Sequence, residues 1–100
     1  MKILALEKEM PGTKATQFQP HLEAEARRVW DLYQTGTLRE FYFRQDRTTA
    51  VLVLECASVE EARQVLDTLP LVQAALIAFD VIPLQPYPGF ARLFAHKAAL

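Results

Sequence analysis

His21 and Glu25 both have chemistry to offer, and they stand four residues apart, a spacing that puts both on one side of a helix. An imidazole and a carboxylate so placed could in principle hold a metal ion. The chain has only two histidines, and the other, His96, lies near its end. A site resting on three histidines is therefore impossible within one chain, and no metal is expected. Cys56 ends an apolar run with no activating base beside it, which suits a small core residue better than a reactive thiol. As the lone cysteine it can form no internal disulfide, which fits a cytoplasmic location.

The stretch GTLREFYFRQDR, residues 36–47, concentrates the other candidates. Phe41, Tyr42 and Phe43 follow one another among Arg39, Glu40, Arg44, Asp46 and Arg47. On a strand, alternate residues share a side. Arg39, Phe41 and Phe43 would share one side; Leu38, Glu40, Tyr42 and Arg44 would share the other. We assign Phe41 and Phe43 to the side beneath the helices, and Glu40, Tyr42 and Arg44 to the open face or its rim. Tyr42 suits an interface ring, with a hydrogen bond to a ligand as its second use. Arg44, Asp46 and Arg47 suit a solvated turn or an intersubunit ion pair.

The elements that must position these residues can be read along the chain. Lys2 to Lys8 reads as a first strand, ended by Pro11-Gly12. Leu22, Ala26, Val29, Trp30 and Tyr33 recur at helical spacing, so a helix is expected over 20–35, with Pro20 in its first turn and Gly36 as its stop. Leu38 to Arg44 is a second strand, and Ala50 to Cys56 a third. The third is apolar on both faces until Glu55 and belongs in mid-sheet. Ser58 and Glu61 form a capping box for a second helix with a stripe of Val59, Ala62, Val65, Leu66 and Leu69, which Pro70 closes. Leu76 to Leu84 is a fourth strand. Residues 87–100 form a tail that carries Phe90, Leu93 and Phe94 and is expected to pack on its own or a neighbouring subunit; Pro86 to Phe90 suits a strap across a neighbour better than a pocket lid.

This order, β-α-β-β-α-β, implies an α+β ferredoxin-like domain over residues 1–86, a four-stranded antiparallel sheet with two helices on one face. Two helices cover only one side, and the apolar third strand needs cover on the other. A second copy of the chain is the simplest cover, which gives a dimeric α+β barrel. Composition narrows the function. With 51% hydrophobic and 23% charged residues in 100, the chain has the profile of one globular domain. A net charge of −1 and a central strand without aromatic or basic residues argue against nucleic acid. The longest nearly apolar run, residues 69–79, is about half a membrane span, and no secretory leader is apparent in MKILALEKEMPG.

Gly36-Thr37, Arg39, Ser58-Val59-Glu60, Leu66 and Leu69-Pro70-Leu71 stand in an unbroken register that resembles the muconolactone isomerase family. The resemblance covers residues 20–85. It implies a small oligomeric enzyme that shifts a proton in an unsaturated lactone bearing a carboxylate, with no metal and no cofactor. Glu25 falls where those enzymes have a helix glutamate. Where the family motif has a tryptophan after Gly-Thr this chain has Leu38, and where it has a second arginine this chain has Phe43, with Arg44 one place on.

Such a reaction needs a base, and a cation for the substrate's carboxylate. The resemblance implies Glu25 and Arg39 for these roles. Measured from the Gly36 turn, Glu25 is ~15 Å up the helix and Arg39 ~8–10 Å up the strand, a gap of ~5–7 Å. Trp30, Phe41 and Phe43 would be the apolar walls; His21, Tyr42 and Arg44 would complete the binding site. The plainer alternative pairs Glu25 with Arg28 on a wet helix face. For the whole protein, the alternative to an enzyme is a ligand-binding or assembly protein of the same fold. The two differ in whether Glu25 and Arg39 face one cavity.

Overall fold

The computed structural model of the chain describes residues 1–8 and 10–94; His96 and the rest of the tail beyond Phe94 lie outside the described residues. The strands are β1 (Lys2–Lys8), β2 (Leu38–Phe43), β3 (Ala50–Glu55) and β4 (Ala78–Pro83); the helices are α1 (Ala15–Phe18), α2 (Leu22–Gln34), α3 (Val59–Leu66) and α4 (Pro70–Gln73). The strands form one sheet in the order β2-β3-β1-β4, and every neighbouring pair is antiparallel. This is the α+β arrangement expected.

Alternation along the strands sorts the side chains. Ile3, Ala5, Ala50, Leu52 and Leu54 are buried on the helix side, where they pack with Leu32 of α2 and Ala62 and Leu66 of α3. Leu4 pairs with Val53, and Leu6 with Val51, on the opposite side. There the four are half-buried. Thus β3 is apolar on both faces, as its sequence requires.

Three departures from the sequence reading have local causes. First, the register of β2 on β3 shifts between Leu38 and Glu40, leaving Arg39 as the extra residue of a bulge. Leu38 therefore opposes Leu54 and is 1% exposed, although simple alternation sends it to the open face. Second, α2 is rotated relative to the expected stripe. Glu25, Val29 and Leu32, spaced four and three apart, turn inward, while Trp30 and Tyr33 stack on each other at 5.9 Å and are 56% and 53% exposed. A 3-10 turn at Gln19–His21 holds Pro20 ahead of this helix. Third, Pro70 does not close α3. It opens α4, where a residue without an N–H sits at no cost. Ser58 caps the helix as expected, its Oγ accepting from Glu61 N at 3.1 Å, but Glu61 accepts from Ala57 N and not from the Ser58 N–H of a full capping box.

After β4, Leu84 N still donates to Lys2 O at 2.9 Å. The chain then runs to a 3-10 turn at Gly89–Leu93. Tyr87 meets Phe90 edge to face at 5.1 Å, and both remain mostly exposed with Leu93 and Phe94. The Tyr87 ring lies over Gly89, so a Cβ there would require the exposed ring to move aside. Through Phe94 the tail leaves its aromatics largely uncovered by its own domain. Among the described residues no helix is long and apolar enough to cross a membrane.

Candidate active site

Where α2 crosses the β2–β3–β1 end of the sheet, the helix and strands part around a cavity of about 300 Å³. Its walls are Leu22, Ala26 and Val29 of α2, Phe41 and Phe43 of β2, Ala50 of β3, Leu71 of α4, Ile77 just before β4 and Phe79 of β4. Two further residues line it, and both are glutamates: Glu7 from β1 and Glu25 from α2. Leu22 and Phe43 are exposed on their outer sides and stand at its mouth.

Each carboxylate is tied to a backbone amide of another element. Glu25 Oε1 accepts from Leu71 N at 2.9 Å, a donor in the first turn of α4 with no partner inside its own helix. Glu7 Oε1 accepts from Ala50 N at 3.0 Å, where β3 begins. These bonds hold two charged groups in a largely apolar chamber. Burial pushes the Glu25 carboxyl above the usual carboxylate range. The Leu71 N–H opposes this rise, the Glu7 carboxylate adds to it, and His21 opposes it.

The sequence-derived candidates divide into two groups. Glu25, Phe41 and Phe43 meet in the chamber as expected. Glu25 does not pair with Arg28, whose Nε instead donates to Thr68 Oγ1 at 2.8 Å. Arg39 does not face the chamber. The bulge turns it outward, and its Nε donates to Gly36 O at 2.5 Å. The expected cleft shared by Glu25 and Arg39 is therefore not formed, because the ~5–7 Å estimate assumed a regular strand. Trp30 is a wall of a separate surface groove with Tyr33 and Leu38, a consequence of the rotation of α2. His21 stands one residue before Leu22 and acts on Glu25 through space without lining the cavity. Tyr42 lies on the open face, where its hydroxyl donates to Glu40 Oε1 at 2.9 Å, a bond that raises its pKa. Arg44 is paired side-on with Asp46 at 2.6 and 2.9 Å.

Glu7 was missed by the sequence reading, and the signal was present. With Ile3 and Ala5 facing inward, the same alternation sends Glu7 inward too. A charge at the end of a buried row marks a site or a partner. Among the described residues, no three His, Cys, Asp or Glu side chains converge to hold a metal.

The comparisons with known proteins bear on this geometry. The family model described as Muconolactone delta-isomerase matches residues 4–89. The chain belongs to this family. Muconolactone isomerase itself, in a crystal structure, superposes with a TM-score of 0.72 at 20% identity, over 88% of this chain and 92% of that one. The 5-chloro-2-hydroxyhydroquinone dehydrochlorinase of Burkholderia phenoliruptrix AC1100, in complex with 2,5-dihydroxybenzoquinone, superposes with a TM-score of 0.69 at 18% identity, over 87% of this chain and 96% of that one. Such identities establish a shared fold. No curated protein matches the sequence. The matched residues of the muconolactone delta-isomerase family model include both chamber glutamates and every apolar wall.

Proposed function

We propose that this member of the muconolactone delta-isomerase family is a metal-independent proton-transfer isomerase acting on a small unsaturated lactone or related ring compound. Arg39 does not share the cavity, so the reading rests on Glu25 alone, a half-buried carboxyl whose proton affinity is raised inside a ring-sized, largely apolar chamber. A carboxylate with a raised pKa is a stronger base at carbon than an exposed one, and its acid form persists closer to neutrality. Glu25 would take a proton from the carbon next to the conjugated system, leaving an enolate. It would return the proton to another carbon of the same system, so that the product is an isomer and nothing is oxidised. The apolar walls would hold the ring flat and exclude water that competes for the proton. Glu7 would act on Glu25, keeping its proton affinity high by like charge.

Support for a homodimer comes from the open face of the sheet. Leu4, Leu6, Val51 and Val53 form an apolar row there, beside Tyr42 and Ile82. A second sheet laid on this row would complete an α+β barrel from two copies of residues 1–86, with the tail after residue 86 packing on its own or the neighbouring subunit.

The test is Glu25→Gln. Glutamine keeps an oxygen for the Leu71 amide and removes the base. A panel of unsaturated lactones, followed by ultraviolet absorbance, supplies the substrate. Turnover should fall by a factor on the order of 10²–10⁴ with little change in binding. Unchanged turnover would remove Glu25 from the chemistry.

A further inference from the structure

We infer that Glu7 is the proton relay of the chamber, the group through which a proton held on Glu25 exchanges with water while a ring is bound. The inference rests on the proton-transfer reading of the same chamber and adds a route for the proton to it. Among the described residues, Glu7 alone lines both the chamber and a second depression. Apart from the two glutamates, the chamber is lined by nine apolar residues, whose side chains neither accept nor pass a proton. Leu22 and Phe43 at the mouth are of this kind, so a ring seated behind them leaves no group there to carry one. The cavity of about 300 Å³ is at the small end of ligand pockets, which run from roughly 300 to 1,000 Å³, so a bound ring leaves little room for water beside it. Glu25 and Glu7 share this small space, and the charge of Glu7 is felt at Glu25. A proton can pass between such carboxylates directly or through one water.

Beyond Glu7 the surroundings change from apolar to charged. The depression is walled by Leu6, Lys8, Arg44, Arg47, Thr49 and Asp80. Lys8 and Asp80 meet at 3.4 Å with more than half of each side chain exposed, so water reaches this side. Ala50 N donates to Glu7 Oε1 at 3.0 Å, which fixes the carboxylate where the two cavities adjoin. The proton count balances at each step. Glu25 takes a proton from a ring carbon and leaves the enolate. The Glu25 carboxylic acid gives that proton to the Glu7 carboxylate, and Glu7 gives it to water in the depression. In reverse, a proton from water reaches Glu25 and then the other carbon of the conjugated system. Every transfer breaks one bond to hydrogen and forms one, and nothing is oxidised or reduced. The ring therefore recovers its own proton or one from water according to a race between return from Glu25 and exchange through Glu7.

The experiment reads that race. The full chain turns over the panel of unsaturated lactones in D₂O, and the deuterium in the product is measured by mass spectrometry at low conversion, after subtraction of exchange without protein. Wild type is compared with Glu7→Gln, which keeps an acceptor for Ala50 N and cannot relay a proton, and with Glu7→Asp, which keeps a carboxylate. Turnover alone would not separate a relay from an electrostatic or structural role, because Glu7 also acts on the basicity of Glu25. The label does separate them, since it compares two fates of the same proton. Wild type should place solvent deuterium in its product, Glu7→Gln should place about threefold less or lower still, and Glu7→Asp should lie between. A wild-type product without deuterium would overturn the relay and leave the proton-transfer reading standing. So would equal deuterium in wild type and Glu7→Gln, since water would then enter by the mouth. Glu7→Asp with no more deuterium than Glu7→Gln would overturn the assignment to a carboxylate. If wild type turns over none of the lactones, the relay and the function proposed above fall together.

Discussion

The two sides of the sheet carry charges in opposite ways. On the open side they stand at the edges of an apolar row and pair with each other. Lys8 meets Asp80, Arg44 meets Asp46, and the N-terminal amine meets Glu55 at 2.7 Å. These partners are exposed, and solvent screening leaves such pairs with little effect on stability. On the helix side, two carboxylates of the same sign share one chamber with no cation in its lining among the described residues. Each accepts a hydrogen bond from a backbone amide. Paired charges at a rim suit contact with another protein surface, where wrong partners are rejected by charge. In the partly buried chamber the Glu7 charge adds to the raised proton affinity of Glu25, which suits chemistry.

Breaking the open side should give the largest effect. Val53→Asp sets an unpaired carboxylate in the centre of the apolar row. If that row is a subunit interface, the cost is several kcal/mol, and sedimentation should show loss of the oligomer or of the fold. A wild type that sediments as a well-folded monomer would break the comparison outright. On the other side, Glu25→Gln should leave assembly untouched and cost about 3–5 kcal/mol of transition-state stabilisation, read as turnover.

Phe43→Arg sharpens the contrast by putting a cation on the chamber wall. It should strengthen binding of an acidic lactone relative to its methyl ester, measured by calorimetry. It should also lower the pKa of Glu25.

How much of this was legible in the sequence follows from what alternation and helical spacing can carry. The element order, the two-faced β3 and the inward Phe41 and Phe43 follow from period and composition alone. Arg39 was misplaced because a bulge leaves no mark in the residue types around it, and one extra residue exchanges the faces of a strand. Trp30 was misplaced because its size drew it into the apolar stripe, whereas α2 buries the neighbouring row of Glu25, Val29 and Leu32. Glu25 is tolerated there because Leu71, 46 residues away, supplies an N–H. That is a tertiary fact with no local signature. Glu7 was legible by parity, but its charge argued for the surface.

Smaller effects should come from pH and from the rim. Glu25 binds its proton more tightly in the folded chain than in the unfolded one. Its contribution to stability is therefore fully present below the unfolded value of 4.5 and is lost as pH rises through the raised folded value. Denaturant melts of wild type and Glu25→Gln should converge at low pH, apart from a constant offset, and the wild type should lose ground to the variant as pH rises through that window. Arg44→Ala, at the exposed rim, should change stability by no more than about 1 kcal/mol in the same melts.

The most direct measurement is the titration of the Glu25 side-chain carboxyl by carbon-detected NMR, in the wild type and in Glu7→Gln. The account predicts that Glu25 titrates above the ordinary glutamate value of 4.5 in the wild type, and lower once the Glu7 charge is removed. A Glu25 that titrates at or below 4.5, and does not respond to Glu7→Gln, would contradict the two-carboxylate chamber on which the proposed chemistry rests.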